Sequence, residues 1–554
     1  MSANPLVDRP EQALPRLTDA QLARVATFGE RRTKKAGEVL FALGQEASCC
    51  FVVLTGRAEI LAEVDGRDMT VLVHGPGEFT GELNLLSSRR ALVRGQMQTD
   101  GEVIVLESAQ LRRLVQRDAE LGEIFVRAFI LRHMGLLSGQ HTDLVLLGSR
   151  HSANALKLKE FLTRNGQPYR FRELESDPGA EELVERLQLG PNDLPVVVCS
   201  AGRVLKNPSI ELLAEHVGLS ATFSPDVVRD VVIVGAGPAG LGAAVYAASE
   251  GLDVLVLEST APGGQAGTSS RIENYLGFPL GISGLELAAR ASVQAEKFGA
   301  DIAVARNAVR LDCTSRPYRI ELANGEVVRT KTVVVATGAR YRKPTFDGLA
   351  HHEGQGVYYS ATHLEAQLCE GEQVAVVGGG NSAGQAAVFL SRFAARVHVL
   401  VRGPGLADSM SQYLINRLEN TPNIELRTRT QIEAISGGDR LEKVRWRHLD
   451  TGQIEERDLC HVFVMTGADP NTAWLQECLS LDAQKFVKTG VDLTAEDLRQ
   501  ARWWVDRPPY LMETSLPGVF AVGDVRSSSV KRVASAVGEG SVCVQLLHKT
   551  LHEI

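Results

Sequence analysis

The sequence predicts an α/β protein: two nested doubly wound units, preceded by an all-β roll with a helical tail and by a small α/β domain. Three patterns predict it. Two glycine turns, Gly235-Ala-Gly237-Pro238-Ala239-Gly240 and Gly378-Gly-Gly380-Asn381-Ser382-Ala383, each follow an apolar β-branched run and open an Ala-rich helical stretch. The first 140 residues instead hold short strands set apart by glycine turns. Between these regions, residues 141–219 alternate strand and helix signals. At 554 residues the chain has length for several domains of roughly 100–200 residues each.

In residues 1–140 the strand patterns fall at 51–54, 58–63, 70–73 and 103–106. A helical tail over 108–137 carries Leu111, Leu114, Val115, Ile124 and Phe125. Cys49-Cys50 lies inside a strand pattern and reads as packing. Residues 76–91, with Gly81-Glu82 and Arg89-Arg90-Ala91, resemble the phosphate-binding cassette of cyclic-nucleotide-binding domains. The resemblance implies that Gly81 and neighbouring amides meet a cyclic phosphate, that Glu82 accepts the ribose 2′-hydroxyl, and that Arg90, beside Ala91, pairs with the phosphate. Arg89 competes for that last role. A roll without nucleotide, used for contacts, is the other reading.

Residues 141–219 show strand 144–147, helix 153–164, strand 169–174, a further helix and strand 194–198, with Pro195 at its head. This resembles a glutaredoxin-like thioredoxin fold, which places a cis-proline there. The family's C-x-x-C position holds Ser152-Ala-Asn-Ala155, so the resemblance implies a redox-inert adaptor or docking platform, joined to the C-terminal region by 220–225.

The two glycine turns have the strand–turn–helix context of Rossmann-like dinucleotide sites. Their first glycine permits the turn, the second lets backbone approach a pyrophosphate, and the third position must be small because helix and strand pack closely. Amides at the helix start then hold phosphates. After the first turn, strand 254–257 ends at Glu258, placed to accept from a ribose hydroxyl and favouring an adenosine without 2′-phosphate, as in FAD. After the second, strand 397–401 ends at Arg402, a cation that leans toward NADPH over NADH.

From residue 226 onward the chain resembles the low-molecular-weight thioredoxin reductases. The motifs occur in that family's order: Gly263-Gly264-Gln265, then Glu273-Asn274, Ala336-Thr-Gly338, the second glycine turn, Gly523-Asp524, and Lys531-Arg532-Val533-Ala534 ahead of Gly538-Glu-Gly540. The resemblance implies that Gly263, Gly264, Gln265, Asn274 and Gly338 lie along FAD, that Asp524 binds its ribityl-phosphate portion, and that 531–534 cover the isoalloxazine edge near a homodimer contact. It also implies nesting, with 226–340 and 470–554 binding FAD, 341–469 binding NAD(P)H, and rotation between the halves. Thioredoxin-reducing members carry a C-x-x-C after a Gly-Val-aromatic lead-in. Here Gly356-Val-Tyr-Tyr359 leads into Ser360-Ala-Thr-His363, and the eight cysteines include no C-x-x-C. Thiol–disulfide exchange needs an attacking and a resolving thiol, so electrons are expected to leave by another route, with His363 and Ser360 as candidates for proton transfer or as space-filling relics. Disulfide reduction through a partner's thiols, a relay through Cys369 or Cys478, and a flavoprotein sensor without turnover are the alternatives. Trp503 and Trp504 offer either a partner contact or packing.

With 59 basic and 67 acidic residues and a net charge of −8, nucleic-acid binding has no electrostatic support. No apolar run nears the roughly 20 residues that span a bilayer, residues 1–8 carry no signal-peptide pattern, and the cysteines look unpaired, so a cytoplasmic protein without metal is expected.

Overall fold

Short apolar segments separated by glycine turns return on one another, and in the computed structural model the first of them make a two-sheet roll. The structure describes every residue except 1–9, 65–66, 82, 88, 139–143, 151, 200–202, 221–222, 225, 270, 439 and 476–477. One antiparallel sheet places Gly101–Glu107 between Glu30–Lys34 and Cys49–Val53; the other runs Val39–Phe41, Arg94–Met97, Ala58–Val64, Arg67–His74. Cys50 is buried in this packing. The expected helical tail is two helices, Ser108–Arg117 and Ala119–Ser138, because Asp118 turns extended and its carboxylate accepts from the Leu121 amide. Phe79, Phe125 and Phe129 lock the tail to the roll, the first two rings stacked at 4.0 Å.

The small domain has the strand order Val204–Lys206, Val196–Val198, Val145–Gly148, Arg170–Glu173, with the last two parallel and the others antiparallel. This is the strand arrangement of the thioredoxin fold, and the Leu194–Pro195 peptide is cis.

The outer unit is one sheet in which Asp301–Val304, Val254–Glu258, Val228–Val234, Val327–Val335 and Val519–Ala521 are parallel, extended by two antiparallel strands, Tyr318–Leu322 and Ala308–Asp312. Helix Pro238–Ser249 is Ala- and Gly-rich because it is buried against both this sheet and helix Val533–Glu553. A side chain at Gly540 would overlap the Ala239 carbonyl. The inserted unit has its own parallel sheet, in the order Val357–Tyr358, His461–Val464, Gln373–Val377, Arg396–Leu400, Ile424–Arg427. Chain enters and leaves it through one two-stranded ribbon, Ala339–Tyr341 paired with Ala468–Pro470.

Disulfide Cys313–Cys478, with 5.9 Å between Cα atoms, corrects the expectation of unpaired cysteines. The partners are 165 residues apart. They meet because the chain returns from the inserted unit onto the sheet it left, a proximity no local pattern records.

Candidate functional site

Each glycine turn is a cradle that side chains would fill. At the first, Gly235 has φ +105° and a Cβ there would strike the Ala336 carbonyl, while a Cβ at Gly240 would overlap the Gly235 carbonyl. Gly237 is the N-cap of helix Pro238–Ser249, and opposite it a Cβ at Gly264, which has φ +54°, would come within 3.1 Å of the Gly237 Cα. Glu258, buried at the strand end, accepts from the Ala236 amide at 2.8 Å and the Thr260 amide at 2.9 Å, fixing its carboxylate beside the turn. Gly263 donates to the Ala236 carbonyl at 2.7 Å, and Gly338, at φ +61°, faces open space.

On the other side of this opening, Glu539 accepts from the Gly523 amide at 2.7 Å and from Arg526 at 2.6 Å, setting the turn that presents Asp524. Burial raises the Asp524 carboxyl and the Lys531 charge counters it. The Lys531 ammonium lies 4.3 Å from the Phe486 ring, Arg532 caps helix Val533–Glu553, and Ala534 is exposed at its start. Gln265 and Asn274 are exposed on neighbouring loops. Glu273 ion-pairs with Arg417 of the inserted unit, linking the two units. Backbone glycines, a buried acid beside the first turn and an acid at the opening's far side are the donor and acceptor set that FAD requires.

The second cradle repeats the geometry. A Cβ at Gly378 would overlap the Met465 carbonyl, Gly380 is the N-cap of helix Asn381–Leu390, and Ala383 is buried beneath the turn. Asn381 is held by the Ser411 amide and hydroxyl at 2.8 and 3.0 Å. Arg402 is exposed at the end of strand Arg396–Leu400 and makes no ion pair among the described residues. Tyr341, on the crossing ribbon, bonds Ser382; burial raises its phenol, and the Asp524 charge adds to that. Tyr341 and Glu539 escaped the sequence reading, although Gly538-Glu539-Gly540 marked the second as a helix-packing neighbour.

Ser360 is half-buried in the loop after Val357–Tyr358, and His363 opens helix His363–Leu368. The His363 ring meets Phe389 and Phe393 edge-on at 5.3 and 5.8 Å, inside the inserted unit. Thr362 caps the helix with Glu365, whose buried carboxyl is raised. Cys369 is buried and its thiol pushed up by desolvation, and Cys478 is in the disulfide, so neither presents a thiolate.

Helix Ala153–Arg164 of the small domain touches both units. Its start abuts Gly354, where a Cβ would approach Ala153, and Leu156 packs on the inserted unit's core. At its end Arg164 donates to the carbonyls of Ala261 (3.3 Å) and Gly264 (2.8 Å), and Asn165 to that of Thr260 (3.1 Å). Of Ser152-Ala-Asn-Ala155, Ala153 meets the inserted unit at Gly354, while Asn154 bonds Asn207 and Ala155 packs within the small domain.

In the roll, Gly81 and Ala91 line an interior cavity. Arg90 departs from its expected place: its side chain extends to the His216 carbonyl at 3.4 Å and lies against Gly218 of the small domain. The bridge between Glu46 and Arg90 fixes the backbone so that the next residue, Ala91, points inward instead. Arg89 also faces outward, 3.7 Å from buried Glu296 of the outer unit. Glu82 lies outside the described residues.

Fold and cradles together define an oxidoreductase that handles two dinucleotides. Residues 229–540 match the family described as pyridine nucleotide-disulphide oxidoreductase, and 31–118 the cyclic nucleotide-binding domain. Over 333 residues the chain is 31% identical to a thioredoxin reductase of Peptoclostridium litorale, covering 59% of this chain and 98% of that protein. It is 33% identical over 313 residues to an NADH dehydrogenase of Ferdinandcohnia aciditolerans, a match spanning 56% of this chain and only 55% of that one. The crystal structure of Lactococcus lactis thioredoxin reductase superposes with a TM-score of 0.53 at 28% identity, over 59% of this chain and all of that one. The chain belongs to the pyridine nucleotide-disulphide oxidoreductase family, as an FAD-dependent member that uses NAD(P)H.

Proposed function

We propose that this chain oxidises NADPH, or NADH, and delivers the electrons to an acceptor other than thioredoxin, under the control of a ligand in the β-roll. FAD, held by the residues of the first cradle, would supply hydride acceptance from the nicotinamide and electron donation to the acceptor. The observation that carries the reading is the pairing of two sterically complete cradles with a thiol-free segment where thioredoxin-reducing relatives keep their cysteines. Gly235, Gly237, Gly240 and Glu258 bind the flavin's adenosine diphosphate, Asp524 its ribityl chain, and 531–534 screen the ring edge from water. Gly378, Gly380 and Asn381 hold the nicotinamide nucleotide, with Arg402 free to meet a 2′-phosphate. His363, exposed at the start of its helix with its ring edge-on to Phe389 and Phe393, is the candidate for proton transfer in this reading.

Gly81 and Ala91 on the cavity wall support a small ligand there, and a cyclic nucleotide is the class that the matched domain family names; the outward Arg90 speaks against the phosphate contact. A homodimer in the cytoplasm completes the proposal, and no helix among the described residues is long and apolar enough to cross a membrane.

Anaerobic stopped-flow mixing of the FAD-loaded protein with NADPH and with NADH tests the reading. Rapid flavin bleaching, faster with NADPH, is expected, followed by turnover with a quinone or another small acceptor. An intact flavin that neither nucleotide bleaches would overturn it and leave a flavoprotein sensor.

A further inference from the structure

The ribbon of Ala339–Tyr341 and Ala468–Pro470 carries the chain between the outer and inserted units, and the Glu273–Arg417 ion pair, partly open to water, links them. Two short strands allow one unit to swivel on the other, and a solvated ion pair resists that weakly. Helix Ala153–Arg164 of the small domain adds a connection of another kind. Its twelve residues, at about 1.5 Å each, make a rod about 18 Å long with one end on each unit.

The far end of the rod is fixed to the outer unit. Leu158, Phe161 and Leu162 form one buried cluster with Val304 and Ala305, at the end of strand Asp301–Val304, so the small domain and the outer unit share a core. Arg164 and Asn165 hold the carbonyls of Thr260, Ala261 and Gly264 in the loop opposite the first glycine turn. Glu160, one turn back, pairs with Arg164 at 3.1 Å and sets the direction of its guanidinium.

The near end rests on the inserted unit. Ala153 abuts Gly354. Leu156, two residues from Leu158 and so on another side of the helix, packs on the cluster that includes Tyr358, Ala361 and Ala366. Charges follow the same line. Burial pushes the Glu353 carboxyl up, but Lys343, Tyr359 and the helix's Lys157 bring it below its ordinary value. Burial raises the Glu365 carboxyl, Thr362 opposes this, and the helix's Glu160 adds to the rise. The helix therefore lies along the segment that leads through Ser360 to His363. Its own start is anchored: Ser152, at a thiol position of redox-active thioredoxin folds, accepts from the Ala155 amide at 3.3 Å, and Asn154 bonds Asn207 at 2.6 Å.

We infer that the small domain is a brace that fixes the nicotinamide-binding unit in one orientation against the flavin cradle, with Ala153 and Leu156 as positioning residues for hydride transfer. With Ser360 and His363 in place of a dithiol, the nicotinamide unit has one partner to reach, and holding it there removes a rotation from the reaction. The inference rests on the proposed reaction for its effect on flavin reduction.

Electron–electron double resonance on the FAD-loaded full chain tests it. Nitroxides are placed by Asn324→Cys in the outer unit and Glu419→Cys in the inserted unit, both exposed, with Cys49→Ser, Cys199→Ser and Cys460→Ser removing the partly exposed native thiols. One narrow distance is expected, with or without NADP+. Leu156→Glu keeps a good helix former and sets a carboxylate near Glu353 and Glu365. It should broaden that distance or add a second one, and Leu156→Met should not. Ala153→Glu, pushed against Gly354, provides an independent variant with the same expected effect. In stopped flow the limiting rate of flavin reduction should fall about tenfold in both, as when about a tenth of the molecules hold the braced orientation. The NADPH concentration for half-maximal rate should stay nearly constant, because the nucleotide cradle is untouched. Two distances with the brace intact, one unchanged distance in both glutamate variants, or a broadened distance with undiminished limiting rate would overturn the inference. A flavin that neither nucleotide reduces, with the distances behaving as expected, removes the proposed reaction and leaves the brace. Rapid reduction with two distances in the intact brace does the reverse.

Discussion

A side chain at Gly240 has nowhere to go, since its Cβ would overlap the carbonyl of Gly235 one turn earlier. Gly240→Val is therefore expected to force the turn open, cost about 1–3 kcal/mol in overpacking and yield protein without bound flavin, read from visible absorbance after purification. At the second cradle, Arg402→Gln should raise the KM for NADPH about tenfold, the worth of roughly 1.5 kcal/mol in a charge-assisted bond, and leave that for NADH nearly unchanged. An equal effect on both nucleotides would remove the 2′-phosphate contact. These glycines were legible in the sequence because their constraint is local: a strand, a turn and a helix within a dozen residues. Arg90 and Tyr341 were not. Their roles depend on which way a side chain leaves the backbone and on elements far along the chain, which adjacency does not encode.

Among the elements, the segment 83–91 of the roll and helix Gly284–Phe298 of the outer unit meet through Arg89 and Glu296. Glu296 is 4% exposed and its carboxyl is raised by desolvation, against the lowering pull of Arg89, Arg112 and His133 and with Asp301 adding to the rise. A carboxyl raised on folding contributes stability that is full below its unfolded value and is lost as pH climbs through the folded one. Wild-type melting temperature should thus fall relative to Glu296→Gln as pH rises from acid toward neutral, and a constant difference between the two across that range would refute the assignment. The pattern of strands was readable where one face is buried, as in 51–54 and 103–106. Strand Glu30–Lys34 was not, because four of its five residues are exposed and it therefore shows no alternation. Trp503 donates to the Arg507 carbonyl at 2.7 Å, whereas Trp504 lies 4.4 Å from the Arg316 guanidinium and stays 55% exposed.

Across the whole molecule, two bonds of different kinds hold a discontinuous unit together. The ribbon of Ala339–Tyr341 and Ala468–Pro470 brings the chain back, and Cys313–Cys478 fastens the returning end to the sheet. Closing a loop this long stabilises by roughly 2–5 kcal/mol in the chain-entropy account, so Cys478→Ser or a reductant should lower the melting temperature by several degrees, measured by flavin-fluorescence release. The outer unit's two sequence segments would then be joined by the ribbon, by strand pairing and by packing, without the covalent clasp. With the bridge in place, every residue of the inserted unit lies within a covalent ring. A protease that cuts once between 313 and 478 opens that ring without dividing the molecule. The nicked protein would run as one band on a non-reducing gel and as two after reduction, and its flavin-binding half would keep both ends of its chain.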